Sequence, residues 1–148
     1  MSKLLILLLF AVVLNEKLDG ITVYDGEKLT NLMHDVATLN VNVGDEFYIR
    51  FSSYYPSFST FISHRWSFVN YNEIPAALEN FNKNGGGFKQ EEKKNIMATT
   101  YISYYKFKAL KTSYNEITLK FRYLRSSGCF GRPEDFIKNI KVNILSKK

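Results

Sequence analysis

The sequence predicts an all-β domain, an antiparallel sandwich or barrel of six or seven short strands. Three observations carry that prediction. Apolar residues recur at every second position in several separate segments. No sustained 3.6-residue period runs anywhere in the chain, and no internal repeat of solenoid length is present. Finally, 148 residues that are 45% hydrophobic and 16% aromatic suffice for one domain with its own core and are too apolar for a disordered chain.

A leader precedes the strands. Lys3 is followed by an unbroken apolar run of eleven residues, 4–14, and then by Asn15, Glu16 and Lys17. That length matches the core of a secretory signal peptide and falls short of the roughly 20 residues that cross a bilayer as a helix. An uncleaved anchor or a buried N-terminal helix is the competing reading. Gly20 is the best small residue for the cleavage position, which assigns 1–20 to the signal peptide and 21–148 to the mature domain. The removed charges, Lys3, Lys17, Glu16 and Asp19, cancel, so the mature chain keeps its formal net charge of +6. The expected destination is the secretory route, ending outside the cell or in a lysosome-like vesicle, without membrane insertion after cleavage.

The strands follow in order. Leu39, Val41 and Val43 alternate with Thr38, Asn40 and Asn42 before a turn at Gly44-Asp45. Phe47, Ile49 and Phe51 alternate with Tyr48 and Arg50, and Trp66, Phe68 and Asn70 suggest a further strand. Only 75–81 has helical character, with Pro75 in its first turn. The β-prone run 101–110 puts Tyr105, Phe107 and Ala109 on one side, with Tyr104, Lys106 and Lys108 on the other. Ile117, Leu119, Phe121 and Tyr123 give the cleanest period of two, and Ile140, Val142 and Ile144 close the set. The expected core is therefore Leu39, Val41, Phe47, Ile49, Phe107, Ile117, Leu119, Phe121, Ile140 and Val142. Long loops are expected over 52–65, 80–100 and 126–135, where a sandwich usually carries binding.

The residue inventory argues against catalysis. One cysteine, Cys129, excludes a disulfide scaffold, and with only His34 and His64 beside it a structural zinc site is excluded too. Cys129 beside His64 would be the sole nucleophile–base pair, yet no helix start lies near Cys129 to lower its thiol pKa; a free or buried structural thiol, or an intermolecular disulfide, is the plainer reading. The acid pairs Glu91-Glu92 and Glu134-Asp135 sit among basic or turn residues and read as solvated. No metal, cofactor or enzymatic activity is expected. Gly85-Gly86-Gly87 lacks the spacing and the following Lys-Ser/Thr of a phosphate loop. The C-terminal half is basic, from Lys106 to Lys148, but lysines alternating along a strand form its wet face, and a secretory leader argues against nucleic acid. Weak attraction to anionic surfaces is what the charge implies.

The run Ala37-Thr38-Leu39-Asn40-Val41-Asn42-Val43-Gly44-Asp45, followed by the strand from Phe47 to Phe51, resembles the opening of chagasin-type inhibitors of papain-like cysteine proteases. The segment Ser53-Tyr54-Tyr55-Pro56-Ser57-Phe58-Ser59-Thr60 before Trp66-Ser67-Phe68 stands where that family has an Asn-Pro-Thr-Thr-Gly loop and an aromatic strand with a Trp. Leu119-Lys120-Phe121-Arg122-Tyr123-Leu124-Arg125 is similar to the strand entering the family's Arg-Pro-Trp loop, and the strand from Phe136 to Leu145 is similar to the one that follows. The departures fall in the loops: Tyr55 replaces Asn, Ser126 and Ser127 replace Pro-Trp after Arg125, and an Arg-Pro pair recurs only at Arg132-Pro133. Gly85, Gly86 and Gly87 lie upstream of where the family's glycine-rich loop stands.

The resemblance implies an immunoglobulin-like antiparallel β-sandwich and a monomeric, reversible inhibitor that fills a protease cleft with loops 53–61, 85–100 and 125–135. Its implied protease-binding residues are Tyr54, Tyr55, Pro56, Ser57, Phe58, Ser59, Thr60, Gly85, Gly86, Gly87, Arg125, Ser126, Ser127, Arg132 and Pro133. The rival is a secreted carbohydrate- or surface-binding sandwich that stacks sugars on Trp66 and the tyrosines. An exposed Trp66 favours the rival; a buried Trp66, with the Tyr54 and Arg125 segments at one end, favours the inhibitor.

Overall fold

The computed structural model describes residues 15–30, 36–56, 62–82, 88–94, 98–127 and 134–146. In chain order these form β1 (Asn15–Leu18), β2 (Ile21–Asp25), a short helix α1 (Gly26–Thr30), β3 (Val36–Asn42), β4 (Glu46–Pro56), β5 (Ile62–Phe68), a 3-10 turn (Tyr71–Glu73), β6 (Leu78–Asn80), β7 (Phe88–Lys94), β8 (Ala98–Ala109), β9 (Ile117–Ser127) and β10 (Glu134–Leu145). The larger sheet runs β1-β2-β4-β8-β6, with β7 also paired to β8; the smaller runs β3-β10-β9-β5. The protein is all-β in architecture, as its alternation predicts. The expectation of purely antiparallel sheets is corrected: β2 runs parallel to β4, and β3 parallel to β10, so both sheets are mixed. The cause is the crossing after β2, where α1 and β3 intervene and β3 joins the other sheet before β4 returns beside β2.

All ten residues expected in the core are buried, at 6% relative exposure or less. They join Phe51, Trp66, Leu78, Tyr105, Ala109 and Ile144 in one cluster between the sheets. Phe51 is its hub, with ring centroids 4.4 Å from Trp66 and 4.6 Å from Phe121. Gly26 opens α1 because the Phe51 ring occupies the place of a side chain there: a Cβ on Gly26 would come 2.3 Å from Phe51 Cζ. The turn at Gly44-Asp45 also forms as expected. Gly44 takes φ +93°, and Asp45 both donates its N–H to the Asn42 carbonyl and accepts from the Asn42 N–H through its carboxylate.

A second, smaller cluster lies on the other face of the larger sheet, where Val23, Tyr48, Ile102 and Tyr104 are buried with Leu18 and Ile21 packed against them. Polar pairs accompany it. Arg50 contacts Glu16 and Asp25, each at 2.6 Å, and the Tyr104 hydroxyl donates to Glu91 at 3.3 Å. Burial alone works against the Arg50 charge, but Asp25, helped by Glu16, more than offsets it and holds its pKa above the ordinary value.

Several sequence expectations are corrected here. Residues 75–81 are not helical: Pro75 and Leu78 close a turn, and Leu78–Asn80 is a strand on β8. Leu78 is 2% exposed and pairs with Ala109, so burial against the sheet outweighs a helix too short to be stable. The strand carrying Trp66 ends at Phe68, and Asn70 continues the pairing by side chain, its amide donating to the Thr118 carbonyl at 2.7 Å and accepting from the Lys120 N–H at 2.8 Å. The three long loops are shorter than expected, because 52–56 belongs to β4, 62–65 to β5, 88–94 to β7, 98–100 to β8, 126–127 to β9 and 134–135 to β10.

Candidate functional site

Strand register places one end of the molecule. In the larger sheet Tyr54, Tyr55 and Pro56 pair with Thr100, Thr99 and Ala98, and Lys93 and Lys94 of β7 flank the same rungs. In the smaller sheet Ile62 pairs with Ser127, Ser63 with Ser126, and Arg125 stands on one rung with His64 and Glu134. Three connections therefore leave from a single end: 57–61 crossing from β4 to β5, 95–97 joining β7 to β8, and 128–133 joining β9 to β10.

Beneath that end lies a floor of packed aromatics. Trp66, two rungs below Arg125's partner His64, stacks on Phe51 at 4.4 Å and meets Tyr123 at a tilt, 4.9 Å between centroids. Lys138 lies over its ring at 5.5 Å from the centroid. The Trp66 backbone is held from both sides, since its N–H donates to Ser53 Oγ at 3.1 Å and its carbonyl accepts from the Tyr105 hydroxyl at 3.1 Å. Burial pushes the Tyr105 hydroxyl up to about 12. Ser53 is 2% exposed, which explains why β4 continues through serines that show no apolar alternation. Its hydroxyl ties β4 to β5 at the corner where the chain changes sheet.

The expected site residues divide accordingly. Tyr54, Tyr55, Pro56, Arg125, Ser126 and Ser127 come together at this end, but on the last rungs of strands rather than in loops. Ser57, Phe58, Ser59, Thr60, Arg132 and Pro133, and Cys129 with them, lie outside the described residues. Gly85, Gly86 and Gly87 lie outside them as well, and their flanks stand elsewhere. Asn80 pairs with Phe107 and Phe88 with Tyr105, towards the far end of β8 and roughly 23–30 Å along the strand from Ala98. Asn82 bridges that gap by side chain, donating to the Lys106 carbonyl at 3.1 Å and accepting from its N–H at 3.0 Å. Of the expected loop 85–100 only the connection 95–97 leaves from this end, and what sequence reasoning missed is the strand β7 before it. Its signal is weak, because β7 reads Phe-Lys-Gln-Glu-Glu-Lys-Lys and shows no apolar period.

Trp66 is 9% exposed and offers no stacking platform. Among the described residues no group of three or more His, Cys, Asp and Glu side chains is placed to hold a metal ion. No helix among them is long and apolar enough to cross a membrane. The arrangement suits contact through end loops on a stiff frame.

Comparison with known proteins corrects the family expectation. No family model matches the chain, and no curated protein matches it. Among solved structures, the solution structure of amebosin is similar at 13% identity and a TM-score of 0.34, covering 83% of this chain and 96% of that one. The expected membership of the chagasin-type inhibitors is therefore overturned: the chain is similar to amebosin and matches no family model. At that score the likeness carries no argument for function.

Proposed function

We propose that this domain is a reversible, monomeric inhibitor that blocks the cleft of a papain-like cysteine protease with the connections 57–61, 95–97 and 128–133. The observation that carries the reading is the register that brings Pro56 beside Ala98, Ile62 beside Ser127 and Arg125 beside Glu134 at one end. The described strand ends Pro56, Ala98, Ile62, Ser127 and Glu134 are fixed by sheet pairing, so the cost of ordering these anchors is met in folding rather than in binding. The Trp66 floor stiffens the frame that carries them. The papain-like class of the target is what the sequence resemblance around Pro56, Trp66 and Arg125 implies, and the geometry itself supports only contact through this end. Describing the frame more finely as an immunoglobulin-like sandwich belongs to the same proposal and rests on two facing sheets sharing one core. Export to the cell exterior or a lysosome-like vesicle would bring the inhibitor to such enzymes. The burial of Trp66 weighs against the carbohydrate-binding alternative.

Occlusion needs an open cleft and no nucleophile in the inhibitor. In calorimetry, papain with a free cleft should bind the chain, and papain whose cleft is filled by a covalent peptidyl blocker should not. Cys129→Ser should leave binding intact. Equal binding to blocked and free enzyme would overturn the reading.

A further inference from the structure

The segment 15–20, which the sequence assigns to the end of a removable leader, is folded into the domain. Asn15–Leu18 pairs antiparallel with β2, from Asn15 beside Tyr24 to Leu18 beside Ile21. Between them Asp19 (φ 53°) and Gly20 (φ 79°) both occupy the left-handed region. An Asp-Gly pair with two positive φ angles is the preferred two-residue hairpin turn, whose twist matches that of the strands it joins. The small residue that resembles a cleavage position is thus explained by a turn that needs glycine.

Two further observations tie the hairpin to the rest of the sheet. Arg50 on β4 holds Glu16 of β1 with one guanidinium nitrogen and Asp25 of β2 with the other, both at 2.6 Å. Asp25 in turn accepts the N–H groups of Glu27 and Lys28 at the start of α1, so one ionic chain links β1, β2, β4 and the helix. Leu18 packs with Ile21 against Val23, Tyr48, Ile102 and Tyr104. Cleavage after Gly20 would strip a strand from the sheet, take Leu18 from that cluster and leave Arg50 with one carboxylate.

We propose that β1 is part of the mature domain and that the leader is removed at or before the Leu14–Asn15 bond. The cleavage clause rests on the export reading; the retention of β1 does not. Two measurements separate them. The intact mass of the exported chain should correspond to a first residue at Asn15 or upstream of it, and a chain beginning at Ile21 overturns the proposal. In the full-length chain trypsin provides the second reading, because proteolysis of a paired strand requires local opening. The peptide bond after Lys17 should be cut about ten-fold or more slowly under native conditions than in denaturant relative to an unstructured control peptide of residues 12–22. Cleavage of Lys17 at the control rate overturns the proposal. A cytosolic chain that keeps Met1 would remove the export reading and the cleavage clause with it, and the trypsin result alone then decides whether β1 is integral.

Discussion

β4 and β8 bury both of their faces, and the two faces are built differently. Inward, Phe47, Ile49 and Phe51 meet Tyr105 and Phe107 in the cluster shared with the second sheet. Outward, Tyr48 packs edge-on against Tyr104 in a cluster of four buried residues, beside the pairs that Arg50 makes with Glu16 and Asp25. The inner face depends on shape and apolar area, where removing atoms leaves a hole that close-packed neighbours cannot fill. The outer face combines a little apolar burial with ion pairs that water partly screens. Disturbances inside should therefore cost several times more than those outside.

The largest effect is expected at the hub. Phe51→Ala should destabilise the domain by about 3–5 kcal/mol, the range for deleting a buried aromatic. Urea unfolding followed by Trp66 fluorescence reads both the loss and the opened tryptophan site. Gly26→Ala probes the same ring from the other side. The added methyl would sit 2.3 Å from Phe51 Cζ, and overpacking of this kind should cost about 1–3 kcal/mol. If the variant matched the parent in stability, the seating of Phe51 on Gly26 would be wrong.

Tyr105 sharpens the contrast through pH. Tyr105→Phe removes the donor to the buried Trp66 carbonyl and should cost about 1–3 kcal/mol near neutral pH. In the parent the hydroxyl rises from an unfolded value of 10.0 to about 12. The folded state thus holds this proton more tightly, so its contribution is full below pH 10 and is lost as pH rises towards about 12. Burial also raises Tyr24 and Tyr104, so ultraviolet titration should show one fewer late-forming tyrosinate in Tyr105→Phe than in the parent. The smallest effect belongs to the outer face, where Glu16→Gln should cost no more than about 1 kcal/mol, less at high salt, since Glu16 is 59% exposed. A loss comparable to that of Phe51→Ala would erase the distinction between the faces.

The same contrast explains what the sequence discloses. The inner face is legible because alternation alone marks Phe47, Ile49, Leu119, Phe121, Ile140 and Val142, whichever strand each pairs with. The outer cluster depends on pairing, since Val23 and Leu18 meet Tyr48 only because β2 lies parallel to β4. No local pattern encodes that neighbour. β7 escapes notice because an edge strand needs only backbone pairing, and its charges serve to guard the edge. The Asp19-Gly20 turn is plain in the sequence but competes with a cleavage signal, and torsion angles decide it. At the candidate site, strand register rather than sequence order places Pro56 and Arg125 at one end, and loop length is overread wherever strands continue through polar residues such as Ser52 and Ser53.

The wedge proposal stands or falls on titration of papain with the purified chain at a fixed, low enzyme concentration. The account predicts that hydrolysis of a small peptide substrate falls progressively with added chain and recovers on dilution. Shortening 57–61 should weaken that inhibition, whereas Tyr114→Ala, at an exposed position outside the three connections, should leave it unchanged. Undiminished hydrolysis at tens of micromolar chain, where any affinity better than about −6 kcal/mol would show, contradicts it.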